Sequence, residues 1–577
     1  MSEPNGVPAE AGERFAIGIS FGNSTSSISR INPDGKAEVI TNEEGDRQIP
    51  TFLSYIDGEE YHGTQAKAQL VRNPNNTVAY FRDYLGKSFK SIDPTPCHQS
   101  AHPQQSDSTV AFSIRDTESE TPNTVTVSEI TTRHFRRLKR SATEYLGKEV
   151  NAAVVTVPTD FQDAQREALV ASAKAAGIEV IQLIHEPVAA ALAYDARPEA
   201  VVTDKLVVVA DLGNTRSDVA VLACRGGMYT ILATAHDYEL GGSSLDQIII
   251  DHFAKEFIKK HKTDPRENAR GLAKLKLEGE ATRKALSLGT NASLSIESLT
   301  DGIDFGSTVN RTRFELLSGK VFAQFTGLID GVVKKAGLDV LDIDEVIFSG
   351  GTSHTPKIAN LTRNMFPEKT KILAPATTAG SINPSELAAR GAAIQASLVQ
   401  EFDKEDIEQS IHPMVTATPH LRNAIGVQFV SGDNLDFKPL LHAETALPAR
   451  RIAQYSAPKD GGDVIVRVCE GTREIKVTKP EPKPKEEKPG KTDEDLDGSD
   501  FDSDEAEEEE EIREIVWKTE KPIAELAVKG IKAGGKAEVM IHVNADLGLQ
   551  ITVREVGGQN AVRGAVEAPK TVENGSA

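Results

Sequence analysis

One pattern constrains this chain more than any other. It occurs twice, about 190 residues apart, as an apolar strand, a glycine turn rich in hydroxyls, and a second strand. The first copy is Phe15-Ala-Ile-Gly-Ile-Ser-Phe-Gly-Asn-Ser-Thr-Ser-Ser-Ile, and the second is Leu206-Val-Val-Val-Ala-Asp-Leu-Gly-Asn-Thr-Arg-Ser-Asp-Val-Ala-Val-Leu. Gly22 lets the backbone come close to a ligand, and successive N–H groups with the hydroxyls of Ser24 and Thr25 suit phosphate oxygens. Taken singly, such a hydroxyl-rich hairpin is more often just a turn. Two similar hairpins imply two similar lobes. Two further glycine pairs, Gly241-Gly242 ahead of a helical stretch and Gly350-Gly351 at the end of an apolar strand, add turns and helix N-termini that suit a nucleotide. None of the four is a Walker loop or a G-x-G-x-x-G fingerprint.

The rest of the first 400 residues alternates β-branched runs such as Ala152–Val157 with helical stretches such as Asp163–Ala176, an α/β pattern with strands buried on both faces. At 577 residues the chain needs more than one core. Residues 401–412 are charged and read as an interdomain linker. From 413 to about 560 the apolar alternation is that of strands, as in Asp463–Cys469, Ala537–Val543 and Leu549–Val553. This β-region is interrupted at 479–513 by a Lys/Pro/Glu-rich and then acidic segment with too few apolar residues to offset chain ordering. Residues 1–14 and 561–577 read as flexible ends.

Charge and cysteines narrow the function. Of the formal net charge of −21, thirteen acids lie between Asp493 and Glu511, where there is no Lys or Arg, leaving about −8 on the rest. An acidic balance argues against a direct grip on nucleic acid. The three cysteines, Cys97, Cys224 and Cys469, lie far apart and suggest neither a disulfide framework nor a zinc site. No apolar run approaches the roughly 20 residues of a membrane helix, and the N-terminus carries no leader pattern. A cytoplasmic protein is expected.

With these hairpins come Asn73-Pro-Asn-Asn-Thr-Val, Val155-Thr-Val-Pro-Thr-Asp-Phe, His185-Glu-Pro-Val-Ala-Ala-Ala-Leu-Ala-Tyr, Gly302-Ile-Asp-Phe and Ser381-Ile-Asn-Pro-Ser-Glu. Together they resemble the actin-like ATPases and, among these, the seventy-kilodalton heat-shock chaperones, over nearly the whole chain. The resemblance implies an actin-like two-lobed domain over 15–400, its second lobe beginning near 201, followed by a reduced β-sandwich without the helical lid. It implies ATP, with magnesium possible. Gly22, Asn23, Ser24 and Thr25 would face Gly213, Asn214 and Thr215 around the phosphates, with Gly241 and Gly242 nearby. Glu280, Arg283, Lys284 and Ser287 would flank the base and ribose, opposite Gly350, Gly351, Thr352, His354 and Ser385. Their spacing places the first four on one helix face, which by itself reads as a solvated charged surface.

The resemblance also locates departures. Ser20 stands where active members carry an aspartate, Arg82 where they carry a lysine, and Arg216 where they carry a threonine. The carboxylates Glu186 and Asp211 are retained, and Asp211 is the candidate for holding a metal through water. Loss of one well-placed group commonly costs about 10²–10³ in rate, so ATP binding without useful turnover is expected. A charged linker and a missing lid complete a likeness to the atypical branch found in the fungal ribosome-associated complex. Members of that branch pair stably with the J-domain protein zuotin, reach the ribosome through it, and act with a second chaperone on nascent polypeptides. The alternatives are an active ATP-cycling chaperone or an actin-like sugar kinase.

Overall fold

The computed structural model describes residues 14–567 apart from 98, 108, 120, 199, 411–418, 432–433, 458–459, 479–511 and 559–560. The chain divides into two compact units, at 417/418. The expected N-terminal arm, the end of the expected linker and nearly all of the acidic insertion lie outside the described residues.

In the first unit, the opening hairpin is β1 (Ala16–Phe21) and β2 (Thr25–Ile31), followed by β3 (Ala37–Ile40) and the short helix α1 (Gly63–Ala68). Then come α2 (Val127–Leu146), β4 (Ala152–Val157), α3 (Asp163–Ala175), β5 (Glu179–His185) and α4 (Glu186–Asp195). The sheet runs β5-β4-β1-β2-β3, with β1 parallel to β4 and antiparallel to β2. All six residues of β4 are buried, as the unbroken Ala-Ala-Val-Val-Thr-Val run requires of a strand covered on both faces. Phe21, Phe81 and Phe135 belong to its core.

The second lobe repeats the plan. Strands β6 (Lys205–Leu212), β7 (Ser217–Arg225) and β8 (Met228–Asp237) are followed by helices α5 (Gly242–His261) and α6 (Ala269–Leu288). A two-stranded ribbon, β9 (Asn291–Thr300) and β10 (Ile303–Asn310), leads into α7 (Arg311–Leu317) and α8 (Gly319–Lys335). Strand β11 (Glu345–Ser349), α9 (Pro356–Met365) and β12 (Lys371–Leu373) complete a sheet of order β8-β7-β6-β11-β12. Helix α10 (Leu387–Val399) returns to the first lobe, where Gly391 meets the backbone of Ala189 on α4, and Gly18 of β1 meets that of Ala393.

Among the described residues no single helix is long and apolar enough to cross a membrane. The bent pair α7–α8 is apolar enough by composition, but Phe314, Phe322, Phe325 and Ile329 are buried in the second lobe's core. The stretch read as linker is partly ordered: Lys404–Ser410 forms a helix, α11.

The second unit is built of strands. One sheet runs β14-β13-β16-β17, made of β13 (Ala424–Ser431), β14 (Asn434–Leu441), β16 (Gly462–Thr478) and β17 (Ile512–Ile531). The other runs β15-β18-β19-β20, made of β15 (Ala449–Ser456), β18 (Lys536–Val543), β19 (Leu549–Glu555) and β20 (Ala561–Val566). Their inward faces share one core, including Val468, Val528, Val539 and Ile551. Two boundaries shift from the sequence reading. Residues 512–513 belong to β17 rather than to the insertion, and the supposed flexible tail begins with a strand. Ala561–Val566, Ala-Val-Arg-Gly-Ala-Val, pairs with β19, and Val562 and Val566 pack against the core, so two valines four residues apart suffice when an open sheet edge is waiting.

Candidate functional site

The two hairpins meet across a cleft of about 410 Å³ in the first unit. Each turn closes identically: Gly22 N–H donates to Thr25 O at 3.1 Å and Gly213 N–H to Arg216 O at 3.0 Å. The ladders on either side therefore correspond, with Ser20 opposite Ser27 in β1–β2 and Asp211 opposite Asp218 in β6–β7. Two hydroxyls in the first lobe thus stand where the second carries two carboxylates. Asn23 Nδ2 donates to Thr215 Oγ1 at 3.2 Å, turn to turn.

Of the residues expected at a nucleotide site, the cleft is lined by Ser20, Gly22, Asn23, Ser24, Thr25, Arg82, Glu186 and Asp211, by Gly213, Asn214, Thr215 and Arg216, by Glu280, Arg283, Lys284 and Ser287, and by Gly350, Gly351, Thr352, His354 and Ser385. Gly241 and Gly242 stand behind it. A Cβ on Gly242 would lie 2.7 Å from Thr352 Oγ1 and 2.8 Å from Arg283 Nη2, and one on Gly241 would strike the Asn214 carbonyl. They let α5 press against the second hairpin, a packing role that a glycine pair ahead of a helix does not distinguish from a ligand contact.

At the phosphate end, two of the three departures are buried arginines held by carboxylates. Arg82 reaches Asp83 at 2.7 Å, Glu186 at 3.2 Å and the Phe21 carbonyl at 3.3 Å. Arg216, just before β7, binds Asp218 on that strand and Asp160 of the first lobe at 2.9 Å, with Asp83 at 4.0 Å. Burial raises the Glu186 carboxyl despite its arginine, and burial with the neighbouring Asp218 charge raises Asp211. Asp160 is instead held down to about 2, because Arg216 outweighs its desolvation.

At the other end, α6 presents its face as the spacing requires, with Arg283 buried and Lys284 still exposed to water. Glu280 is clamped between Lys67 at 2.6 Å and Lys284 at 2.7 Å, which hold it down to about 2 against burial. Arg283 is buried on Asp246 at 2.5 Å, and Ser287 Oγ donates to the Arg283 carbonyl. His354 Nε2 lies 3.1 Å from both Ser385 Oγ and Asn383 Oδ1, and burial lowers its pKa. Sequence reasoning missed Lys67, Tyr80, Gln48 and Asp218, all of which line the cleft. Asp218 was recoverable, since the hairpin register pairs it with Asp211; Lys67 carries no local signal.

Four buried cleft atoms, Asn23 Oδ1, Ser24 Oγ, Asn214 Oδ1 and Gln48 Nε2, have no hydrogen-bond partner in the protein. Buried polar groups are normally satisfied, so a polar ligand fits between the hairpins: Ser24 Oγ and Gln48 Nε2 can donate to a polyphosphate held by Gly22–Thr25 and Gly213–Thr215, whereas the two asparagine oxygens accept and need a donor. A tightly organised magnesium ion does not fit. Glu186, Asp218 and Glu280 are already engaged by cations, and among the described cleft carboxylates only Asp211 lacks a direct cationic partner.

Two mixed sheets, each opening with a glycine hairpin on one wall of a shared cleft, define the actin-like class of two-lobed nucleotide-binding folds. The Hsp70 protein family profile matches residues 16–478. The chain is 43% identical over 548 residues to the ribosome-associated complex subunit SSZ1 of Saccharomyces cerevisiae, covering 95% of this chain and 99% of that one. It is also 43% identical over 568 residues to the heat shock protein 70 homolog C57A7.12 of Schizosaccharomyces pombe, covering 97% of each. Against heat shock 70 kDa protein 14 of Xenopus tropicalis it is 33% identical over 461 residues, covering 79% of this chain and 87% of that one. The chain belongs to the Hsp70 family.

Proposed function

We propose that this chain holds ATP without useful turnover and acts as a chaperone-like subunit of a cytoplasmic ribosome-associated complex. In this reading it pairs stably with a J-domain protein of the zuotin type, reaches the ribosome through that partner, and helps it stimulate a ribosome-bound chaperone acting on nascent polypeptides. The observation that carries the reading is the state of the phosphate end. Arg82 and Arg216 are buried and saturated by Asp83, Glu186, Asp160 and Asp218, while Ser20 replaces the carboxylate that its counterpart Asp211 keeps. Hydrolysis needs a placed metal or general base to organise the attacking water, and these carboxylates are committed to arginines. Binding needs less. The hairpin turns, the orphaned Ser24 hydroxyl and Gln48 amide nitrogen and the α6 face all remain available. ATP, when bound, would supply the polyanion that these donors lack.

Retained Glu186 and Asp211 favour one second reading, an ATP-cycling chaperone. Calorimetric titration with ATP, single-turnover hydrolysis and recovery of the native complex separate the two. The proposal expects binding, no burst of ADP, and a stoichiometric J-domain partner on ribosomes. Turnover at the rate of an ordinary family member, or a chain found free of any J-domain protein, overturns it. Ser24→Ala with Gln48→Met should weaken ATP by about tenfold while leaving the unfolding midpoint nearly unchanged, because Ser24 Oγ and Gln48 Nε2 have no protein hydrogen-bond partner to lose.

A further inference from the structure

Three ligand-bearing side chains, Asp160, Asp218 and His236, converge with their donor atoms all within 4.8 Å, the arrangement of a metal site. The guanidinium of Arg216 sits among them. Its Nη2 donates to Asp160 Oδ1 at 2.9 Å and to Asp218 Oδ1, and its Nε donates to Asp218 Oδ2 at 2.8 Å. The ring of Tyr238 lies 4.7 Å from it, and His236 Nδ1 lies 2.6 Å from Asp218 Oδ1.

These groups come from different lobes. Asp160 follows β4 in the first, whereas in the second Arg216 precedes β7, Asp218 and His236 lie on β7 and β8, and Tyr238 follows β8. Asp160 is gripped twice, its Oδ1 by Arg216 and its Oδ2 by the Tyr238 hydroxyl at 2.8 Å. Asp83, also of the first lobe, lies 4.0 Å from Arg216. Arg216 is only 6% exposed, so these pairs are little screened by solvent.

We propose that Arg216 is a built-in cation that takes the place of a metal ion between the lobes and, through Asp160, holds the phosphate end of the cleft shut with no ligand present. Its role is positioning: the guanidinium pairs with Asp160 and Asp218 at once, and its planar fork fixes their relative geometry where a single-point ammonium would not. The bond from Asn23 Nδ2 to Thr215 Oγ1 is a second contact between the two lobes at this end of the cleft. The inference concerns the ligand-free chain and stands whether or not ATP is retained.

Hydrogen–deuterium exchange on the nucleotide-free full chain tests it. The double variant Asp160→Asn with Tyr238→Phe cuts the link between lobes but leaves the Arg216–Asp218 pair inside its own sheet, so the second lobe keeps its fold. We expect amides of 20–27 and 211–219 to exchange at least about tenfold faster than in the unaltered chain, with core segments such as 205–210 unchanged. Arg216→Thr should do the same and Arg216→Lys should restore protection in part. Local acceleration in the double variant with partial lysine rescue supports the clamp. Equal protection in all four proteins, or acceleration spread over the whole second lobe, overturns it.

Discussion

Lys67 Nζ lies 2.6 Å from Glu280 Oε2 across the mouth of the cleft, joining α1 of the first lobe to α6 of the second, 213 residues later. Both side chains are about four-fifths buried, at 22% and 18% exposure, so the pair is worth more than a surface bridge. Lys67→Met and Glu280→Gln should each speed ATP dissociation by roughly five- to tenfold, and the double variant should add little more, since both remove one contact. Stopped-flow release of a fluorescent ATP analogue measures this; fully additive effects would show that the two residues act separately.

Restoring a single catalytic position should not restore hydrolysis. Ser20→Asp adds a carboxylate beside Glu186 and Asp211, but Arg82 and Arg216 still hold the surrounding charges. The triple change Ser20→Asp, Arg82→Lys and Arg216→Thr should raise single-turnover hydrolysis by at least about 10²-fold over the unaltered chain, against little change for Ser20→Asp alone. The rate of labelled phosphate release decides.

Helix α10 approaches α4 so closely that a Cβ on Gly391 would overlap the carbonyl of Ala189. Both partners are backbone, so neither can turn aside. Gly391→Ala should destabilise the first unit by about 2–3 kcal/mol, read as a lower denaturant midpoint. A loss under about 0.5 kcal/mol, the size of an ordinary surface change, would mean the helices can separate freely.

His134 makes the first lobe acid-sensitive. It is fully buried among Phe21 and Phe81, with Nε2 against Ser26 Oγ at 2.9 Å, and burial pushes its pKa down to about 3. The unfolded chain titrates near pH 6.5, so between about 6.5 and 3 the unfolded state holds a proton that the folded state refuses. Stability therefore falls with pH across that window, by up to about 1.4 kcal/mol per unit from this residue. His134→Gln should reduce the slope of unfolding free energy between pH 6 and 4 by about that amount in urea titrations. Parallel slopes for the two proteins would exclude His134 as the source.

Local pattern was enough to read several parts of this molecule. The repeated strand–glycine–strand hairpins, the buried run of β4, and the 280/283/284/287 face of α6 all follow from periodicity and backbone requirements within ten to fifteen residues, and each occurs where expected. Ser20, Arg82 and Arg216 were identifiable as departures only through the resemblance to the seventy-kilodalton chaperones. What those arginines do was decided by the tertiary structure. Asp160 lies 56 residues from Arg216 and Glu186 lies 104 from Arg82. An ion pair over such a distance leaves no periodic trace, since a pattern fixes which face a side chain takes and not which face of another element it will meet. The same holds for Lys67 against Glu280, for the close approach that makes Gly242 obligatory, and for Ala561–Val566, which is a strand because β19 offers it an unpaired edge.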